Sequence, residues 1–309
     1  MRVMYRAEYI YIERELKQLE NAFFEKAYFH GYVFRLKFNK GSISFMPPIR
    51  ANLTYIIPPQ IKEHPLSSIL RKELKGKKLV EIKVVNKDRF IELDFGEKKL
   101  YLEMFGKGNA VLTENKVIKY ALNYGEFKDR TIKKGEEYKL PNLLSLDYEN
   151  LINKFKEKTI GQLLGTIFGK HYSDYLLFKH KIDKDEKVNK NTLEEMIKFF
   201  YENATPYLFV DNDFGVLPFK EVKESGKELS FYVDNFYKHS FKSKKLEKLK
   251  KAKEELEMKI KEYERKAEEY KKIGDWIYEH YVEIEELIKK AKEGKVNVNK
   301  KDKSFDITI

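Results

Sequence analysis

Phe34-Arg35-Leu36-Lys37-Phe38-Asn39-Lys40-Gly41-Ser42-Ile43-Ser44-Phe45 decides the fold class. Phe34, Leu36 and Phe38 alternate strictly with Arg35 and Lys37, the period-2 pattern of a strand with one face buried. Asn39-Lys40-Gly41 supplies a short turn, and Ser42 to Phe45 returns, so the stretch predicts an antiparallel hairpin. Working outward, Ile12, Leu16, Leu19 and Phe23 recur at helical steps before it and predict an opening helix. After it, Pro47-Pro48 and Pro58-Pro59 punctuate the chain, and Leu66, Ile69, Leu70 and Leu74 mark a second helix closed at Gly76. Strands follow at Leu79–Val85, Phe90–Phe95, Leu100–Met104, Ala110–Thr113 and Val117–Tyr120. Helices scattered among antiparallel hairpins indicate an α+β domain rather than alternating βαβ units.

From about Leu143 to Asn203 the pattern turns helical and is broken at Gly161, Gly165 and Gly169. Gly169, after Ile167-Phe168 and before Lys170, allows a helix–hairpin–helix whose backbone N–H groups face a phosphate, or a plain helical connector. Pro206 to Phe219 is extended, with a turn at Asp213-Phe214-Gly215. From Lys244, residues Leu246, Leu249, Leu256, Ile260, Tyr263, Ala267, Tyr270, Ile277, Tyr281, Ile284 and Ile288 hold one a/d frame. Only Lys253 and Gly274 interrupt it, which predicts a single long coiled-coil helix to Glu293. Its one-sided apolar seam predicts self-association as a homodimer, in an offset or antiparallel pairing. Val296 to Ile309 reads as strand. The domain expectation is therefore 1–141, 142–240 and 241–309.

Composition narrows the chemistry. Among 309 residues, 62 Lys and Arg against 50 Asp and Glu leave a net charge of +12, which points to a polyanionic partner. With no cysteine, catalytic thiols, thiolate zinc sites and iron–sulfur clusters are excluded. The six histidines, among them His30, His64 and His171, show no HxxxH or HExxH spacing, so no metal site is expected. No apolar run approaches the roughly 18 residues of a membrane span, and Met1 to Ile10 does not resemble a signal peptide; a cytoplasmic protein without membrane contact is expected. Glutamine occurs only at Gln18, Gln60 and Gln162 while Lys, Glu and Ile abound, the bias of heat adaptation or of an AT-rich genome. The 21 tyrosines and 22 phenylalanines suit base stacking beside cations, although a core absorbs most of them.

No nucleotide-binding loop, GxSxG elbow or Ser/His/Asp set is present, so no catalytic residue and no cofactor is expected. Gly106-Lys107-Gly108 lacks Walker spacing and reads as a tight turn. Basic clusters carry more. Arg71 and Lys72 flank the second helix; Lys128, Arg130, Lys133 and Lys134 crowd one loop; Lys242 to Lys251 open the coil, as a solvated face or as a nucleic-acid contact.

Five segments in order resemble the NFACT family of ribosome quality-control factors, archaeal-type. These are Glu8–Leu16, Pro65–Lys72, Asn86-Lys87-Asp88-Arg89-Phe90, Leu102–Leu112 with its Gly106-Lys107-Gly108-Asn109 loop, and Tyr138-Lys139-Leu140-Pro141. The resemblance implies an N-terminal NFACT domain, similar to the formamidopyrimidine-glycosylase N-terminal domain, then a helix–hairpin–helix domain and the first coiled-coil arm. It implies binding to the large ribosomal subunit carrying peptidyl-tRNA, tRNA recruitment, and support of mRNA-independent C-terminal tailing in which the ribosome does the chemistry. It assigns tRNA contact to Asp88, Arg89 and Glu8. Arg71, Lys72, Lys128, Arg130, Lys133 and Lys170 are the basic candidates for RNA-backbone contact. An arginine bonds phosphate bidentately while the aspartate orients it, against the alternative of a strand-start ion pair without ligand.

Two departures qualify the resemblance. Glu8 stands where the family usually has aspartate, and a second coil arm and the C-terminal NFACT-R domain are missing, so an N-terminal fragment is expected. Two other readings compete. A DNA-repair glycosylase shares the layout but needs an N-terminal proline nucleophile and a cysteine-rich finger, and the chain begins Met1-Arg2-Val3 without cysteine. A coiled-coil scaffold or adhesin would bind its partner whether or not RNA is present.

Overall fold

In the computed structural model, which describes residues 2–57, 62–127 and 129–295, the opening helix α1 (Arg6–Leu16) stops earlier than its apolar spacing predicts. A 3₁₀ turn over Lys17–Leu19 follows, and Asn21 takes a left-handed φ of 63° as its N–H donates to the Leu79 carbonyl at 2.7 Å. Phe23, expected on the helix face, lies beyond this turn and is exposed. Asparagine tolerates the left-handed region, and the turn lets the chain enter its first strand.

That strand opens an antiparallel sheet ordered β1 (Phe24–Phe29), β2 (Phe34–Phe38), β3 (Gly41–Met46), β4 (Arg50–Leu53). The expected hairpin is β2–β3, pairing Phe34 with Phe45 and Phe38 with Gly41. Phe34, Leu36, Phe38, Ile43 and Phe45 are all buried, but so are Arg35 and Ser44 between them, so the sheet is covered on both faces here rather than on the one that alternation predicts. Helix α2 (Pro65–Leu74) starts with Pro65 at its first position, and His64 caps it by accepting the Leu66 N–H at Nδ1, 3.1 Å away. It buries Leu66, Leu70 and Leu74, and the chain leaves through Gly76 at φ +76°.

A second antiparallel sheet runs in sequence order: β5 (Glu81–Val84), β6 (Phe90–Asp94), β7 (Lys98–Glu103), β8 (Asn109–Glu114) and β9 (Val117–Ala121). Phe90, Tyr101, Val111 and Ile118 form a core on one face, closed by Ile132 and Tyr138. A two-residue pair of strands, β10 (Gly125–Glu126) and β11 (Thr131–Ile132), projects from its end.

The helical stretch comprises α3 (Tyr148–Lys154), α4 (Ile160–Phe168), α5 (Lys170–His180) and α6 (Lys190–Asn203). Helices α4 and α5 meet at Gly169, whose φ of +98° and close approach to the Tyr5 ring, 2.5 Å from where a Cβ would stand, both demand glycine. A small sheet follows, with β12 (Tyr207–Phe209) between β13 (Phe214–Gly215) and β14 (Val222–Ser225). The turn expected at Asp213-Phe214-Gly215 falls earlier, with Asn212 at φ 61° and Phe209 N–H bonded to the Asp213 carbonyl. Phe214 and Gly215 are themselves strand.

The chain divides into two compact units, Met1–Ser240 and Phe241–Ile309. Helix α7 (Leu229–Glu279) begins well before the expected coil. Its first N–H groups, of Leu229 and Ser230, donate to the Glu15 carboxylate at 2.6 and 2.9 Å, a cap borrowed from α1. Asp234 on its next turn accepts from Arg50, Asn52 and Thr54 at 2.8–3.0 Å. These partners are distant in sequence, so the helical pattern alone did not reveal this start. Nor is the coil one helix to Glu293. His280 leaves helical geometry at φ −107°, ψ 21°, its ring stacked on Trp276, and α8 (Tyr281–Lys292) follows. In the second unit Leu256, Ile260, Tyr263 and Tyr270 of the seam are exposed. The strand-like Val296 to Ile309 lies outside the described residues, as do Pro58-Pro59 and Lys128. Among the described residues no helix is long and apolar enough to cross a membrane.

Candidate nucleic-acid interface

The site begins at a turn that the sequence by itself would not favour. Between β5 and β6, Asn86 and Lys87 both hold φ near 52°, a left-handed pair of non-glycine residues. Buried Arg6 of α1 holds them there. Its Nε donates to the Lys87 carbonyl at 2.6 Å, and one Nη donates to the carbonyls of Asn86 and Leu144, each at 2.8 Å. Burial lowers the pKa of this guanidinium and Asp88, 3.8 Å away, opposes that shift. Lys87 in turn pairs with Glu13 of α1.

Asp88 and Arg89 follow at once. One Asp88 oxygen accepts the Arg89 N–H at 2.7 Å, and the Arg89 carbonyl accepts from Met104 N–H at 2.9 Å. The backbone of Arg89 is thus fixed to the end of β7. The residue is half-buried, and its side chain makes no ion pair among the described residues.

Opposite stands the loop Phe105-Gly106-Lys107-Gly108-Asn109. Gly108, at φ +72°, presses on the Pro47-Pro48 turn so closely that a Cβ would sit 2.5 Å from Pro47 Cβ. Asn109 spends its amide on structure: Nδ2 donates to the Asn123 carbonyl at 2.8 Å, and Oδ1 accepts from the N–H groups of Ala110 and Asn123. Asn123 returns a bond to the Gly108 carbonyl at 2.8 Å. This reciprocal clasp joins the glycine loop to the segment that carries Tyr124 and Phe127.

The third wall is a buried triad. Arg130 donates to Glu103 at 2.7 Å and to the Tyr138 hydroxyl at 3.0 Å, and Tyr138 donates to the other Glu103 oxygen at 2.7 Å. Burial first and the Glu103 charge second push the Tyr138 phenol up. For Arg130, burial disfavours the charge, but Glu103 outweighs it and raises the pKa.

Together these walls enclose a cleft of about 760 Å³ lined by Asp88, Arg89, Lys107, Asn123, Tyr124, Phe127 and Arg130 among others. Asp88, Arg89 and Arg130, nominated from sequence, therefore meet in one place. Arg130 does so as a structural cation, already engaged by Glu103 and only 7% exposed, not as the free loop charge expected. Lys107, read as part of a turn, is exposed at the rim. Tyr124 and Phe127 carried no sequence signal beyond being aromatic beside the basic loop.

The remaining candidates lie elsewhere. Arg71, on α2, bonds the Ser67 carbonyl and pairs with Glu63 at 3.6 Å; neighbouring Lys72 is exposed. Lys133 is exposed and sits 3.7 Å from Glu136. Lys170 lines a separate, smaller cleft of about 260 Å³ between α4 and α5. Lys128 lies outside the described residues.

Glu8 differs most from expectation. A tRNA contact needs access, and Glu8 is fully buried. It pairs with Arg2, accepts from the Tyr172 hydroxyl at 2.8 Å and from the Tyr5 N–H at 2.7 Å. Arg2 also reaches Asp213 at 3.0 Å and stacks over Phe214. The carboxylate ties α1 to α5 and, through Arg2, to β13.

Comparison with known proteins places the arrangement. The family described as NFACT N-terminal and middle domains matches residues 12–307. The archaeal Rqc2 homolog aRqcH of Methanocaldococcus jannaschii is 29% identical over 270 residues, covering 71% of this chain and 40% of that protein. The chain thus spans about two-fifths of that relative's length. Two solved structures share the fold. The N-terminal part of the fibronectin/fibrinogen-binding protein of Streptococcus suis has a TM-score of 0.60 at 22% identity, covering 76% of this chain and 99% of that one. The fibrinogen binding protein of Staphylococcus aureus has a TM-score of 0.57 at 18% identity, covering 75% and 99%. With the Asp88-Arg89 turn and the Gly106–Asn109 loop inside a match that spans nearly its whole length, the chain belongs to the NFACT family.

Proposed function

We propose that this chain is an RNA-binding factor of ribosome quality control that engages tRNA through the Asp88–Arg89 cleft. It acts on the large ribosomal subunit bearing peptidyl-tRNA and recruits tRNA for mRNA-independent tailing of a stalled nascent chain. Peptidyl transfer belongs to the ribosome; the role of this protein is to bind and orient. The observation that carries the proposal is the Arg89 guanidinium, free of ion pairs among the described residues and anchored by its backbone in a cleft wide enough for a nucleotide. A guanidinium so placed offers a two-pronged donor to phosphate or to a base edge, with Asp88 as the adjacent acceptor. The +12 net charge favours encounter with the polyanion before any specific contact forms.

Family membership and the relative named as an Rqc2 homolog support the ribosomal assignment. Co-sedimentation of the chain with large subunits bearing peptidyl-tRNA tests it, with subunits lacking tRNA as the comparison. Preferential pelleting with the loaded subunits is expected. Equal pelleting with both, or with neither, would sink the proposal.

A further inference from the structure

The second unit carries an apolar seam that its own chain leaves open. Leu256, Ile260, Tyr263, Tyr270 and Tyr281 are each more than half exposed, and a continuous stripe of this kind is costly in water unless something covers it. Gly274 lies in the same stripe, within α7 and without a positive φ. No local conformation therefore demands glycine there, and glycine weakens a helix interior. Beyond the helix's own backbone, a Cβ at this position would meet nothing within 4 Å. The notch serves no contact inside the chain; close approach from outside is the use it fits. Two charges on one edge of the seam are also idle. Glu264 and Lys271 have no ion pair among the described residues, whereas Lys253, in the seam itself, is held by Glu257 at 3.5 Å.

We infer that this seam pairs with the seam of a second copy, antiparallel, about a two-fold axis that passes between Glu268 and Glu269. The spacing fixes the alignment, because under a two-fold each contact occurs twice with the copies exchanged. Setting Gly274 against Tyr263 of the second copy also sets Ala267 against Tyr270, so the two small residues receive the two tyrosine rings. Ile260 then meets Ile277, and Leu256 meets Tyr281. A shift of one heptad loses this match: in one direction Ile260 meets Tyr270, in the other Tyr263 meets Tyr281. A parallel pair is worse. It faces Lys253, Gly274 and Tyr270 each with itself, which puts a like charge, a void and an overpacked layer in one stripe. The antiparallel alignment also brings Glu264 beside Lys271 of the second copy, twice by symmetry, and so pairs the two idle charges. Helical bonding continues across His280, whose carbonyl accepts the Ile284 N–H at 3.0 Å, so the seam keeps its frame into α8.

Sedimentation equilibrium of the full 309-residue chain at micromolar concentration should show a dimer. The chain has no cysteine, so one introduced thiol carries one nitroxide label. Labels on R265C, M258C and E286C, three positions on the outer face of the helix, report the alignment through pulsed electron–electron distances. The two copies of each label should be offset along the axis by about 10, 30 and 50 Å respectively, at 1.5 Å per residue. G274L should raise helical content by circular dichroism yet weaken the dimer at least about tenfold, because leucine fills the notch. K271E should weaken the dimer about fivefold, and E264K/K271E should restore it. A monomer at every concentration would overturn the pairing, as would equal distances at the three labels. So would a G274L dimer as tight as wild type, or a doubly reversed variant that fails to recover. If the chain is monomeric and I260D abolishes its pelleting with large ribosomal subunits, the seam belongs to a ribosomal partner instead.

Discussion

Two carboxylate–arginine pairs in this molecule use the same chemical groups to opposite ends. Glu8 and Arg2 are buried, touch each other, and have nearly every polar atom engaged by Tyr172, Tyr5, Asp213 or the Phe214 carbonyl. Asp88 and Arg89 are adjacent in sequence yet not paired side chain to side chain. Asp88 leans toward Arg6, and Arg89 is left without a carboxylate. The first pair holds elements together. The second keeps a charge available at the edge of a cleft. What separates them is the surroundings: Arg2, Tyr5 and Tyr172 of α5 converge on Glu8, whereas a braced turn displays Arg89. The proposed function gives the binding role to the available charge rather than to charge itself.

The largest expected effect comes from breaking the closed pair. R2A leaves buried Glu8 without its cation, while Asp213 keeps Lys220 at 2.7 Å, and should lower unfolding free energy by roughly 3–5 kcal/mol, read by urea denaturation. A loss under about 1 kcal/mol would make the buried pair energetically idle. The cleft has its own rigid element. G108A places a Cβ 2.5 Å from Pro47 at a positive φ and should cost about 3 kcal/mol, whereas G106A, positive in φ but facing open space, should cost about 1 kcal/mol. Equal costs would show that only backbone conformation matters at the loop.

For the open pair the sign of the comparison reverses. R89A should leave stability within about 1 kcal/mol but weaken tRNA binding by roughly 1.5–3 kcal/mol, the scale of a charge-assisted hydrogen bond. A titration of R89A with wild-type affinity would remove Arg89 from the interface. Salt should act on the same contact. Neutralising about 4–6 phosphates gives a log–log slope near −3 to −5, and a flat response would end the electrostatic account.

The smallest effect lies between the extremes, at Lys98, which pairs with Glu73 and, at 3.3 Å, with Glu114. The Lys98 hydrogen bond, first among its causes, holds the Glu73 carboxyl below its ordinary value. A depressed carboxylate adds stability above its unfolded pKa and loses it as pH falls through the folded one. Wild type should therefore exceed E73Q by about 1 kcal/mol or less at neutral pH, with the difference vanishing in acid. A difference that persisted below the folded pKa would point to packing instead.

Much of the first unit was legible because its signals are local. Alternation at Phe34–Phe38 and along Phe90–Phe95 marks a strand through its period alone, although the fold covers both faces there and buries Arg35 and Glu92 as well. The left-handed pair at Asn86-Lys87 was not legible, because neither residue asks for that conformation; Arg6, some eighty positions away, imposes it. The basic loop read as one cluster separates in space. Arg130 turns inward to Glu103 and Lys133 outward, a distinction that a count of charges cannot make. The true start of α7 was hidden for a similar reason, since its cap is a carboxylate from α1.

By itself the sequence determined the α+β character, the hairpins, the surplus of positive charge and, through five short motifs, the family. These follow from periodicity and residue type, which a chain carries wherever it folds. Only the tertiary structure decided which charges are spent. It buried Glu8 among Arg2, Tyr5 and Tyr172, engaged Arg130 with Glu103, and brought Asp88, Arg89, Lys107, Tyr124 and Phe127 to one cleft. A charged side chain forfeits its hydration when buried and must find a partner, and that partner usually lies far along the chain. Spacing along a sequence cannot show which cations have found one, and the proposal rests on a cation that has not.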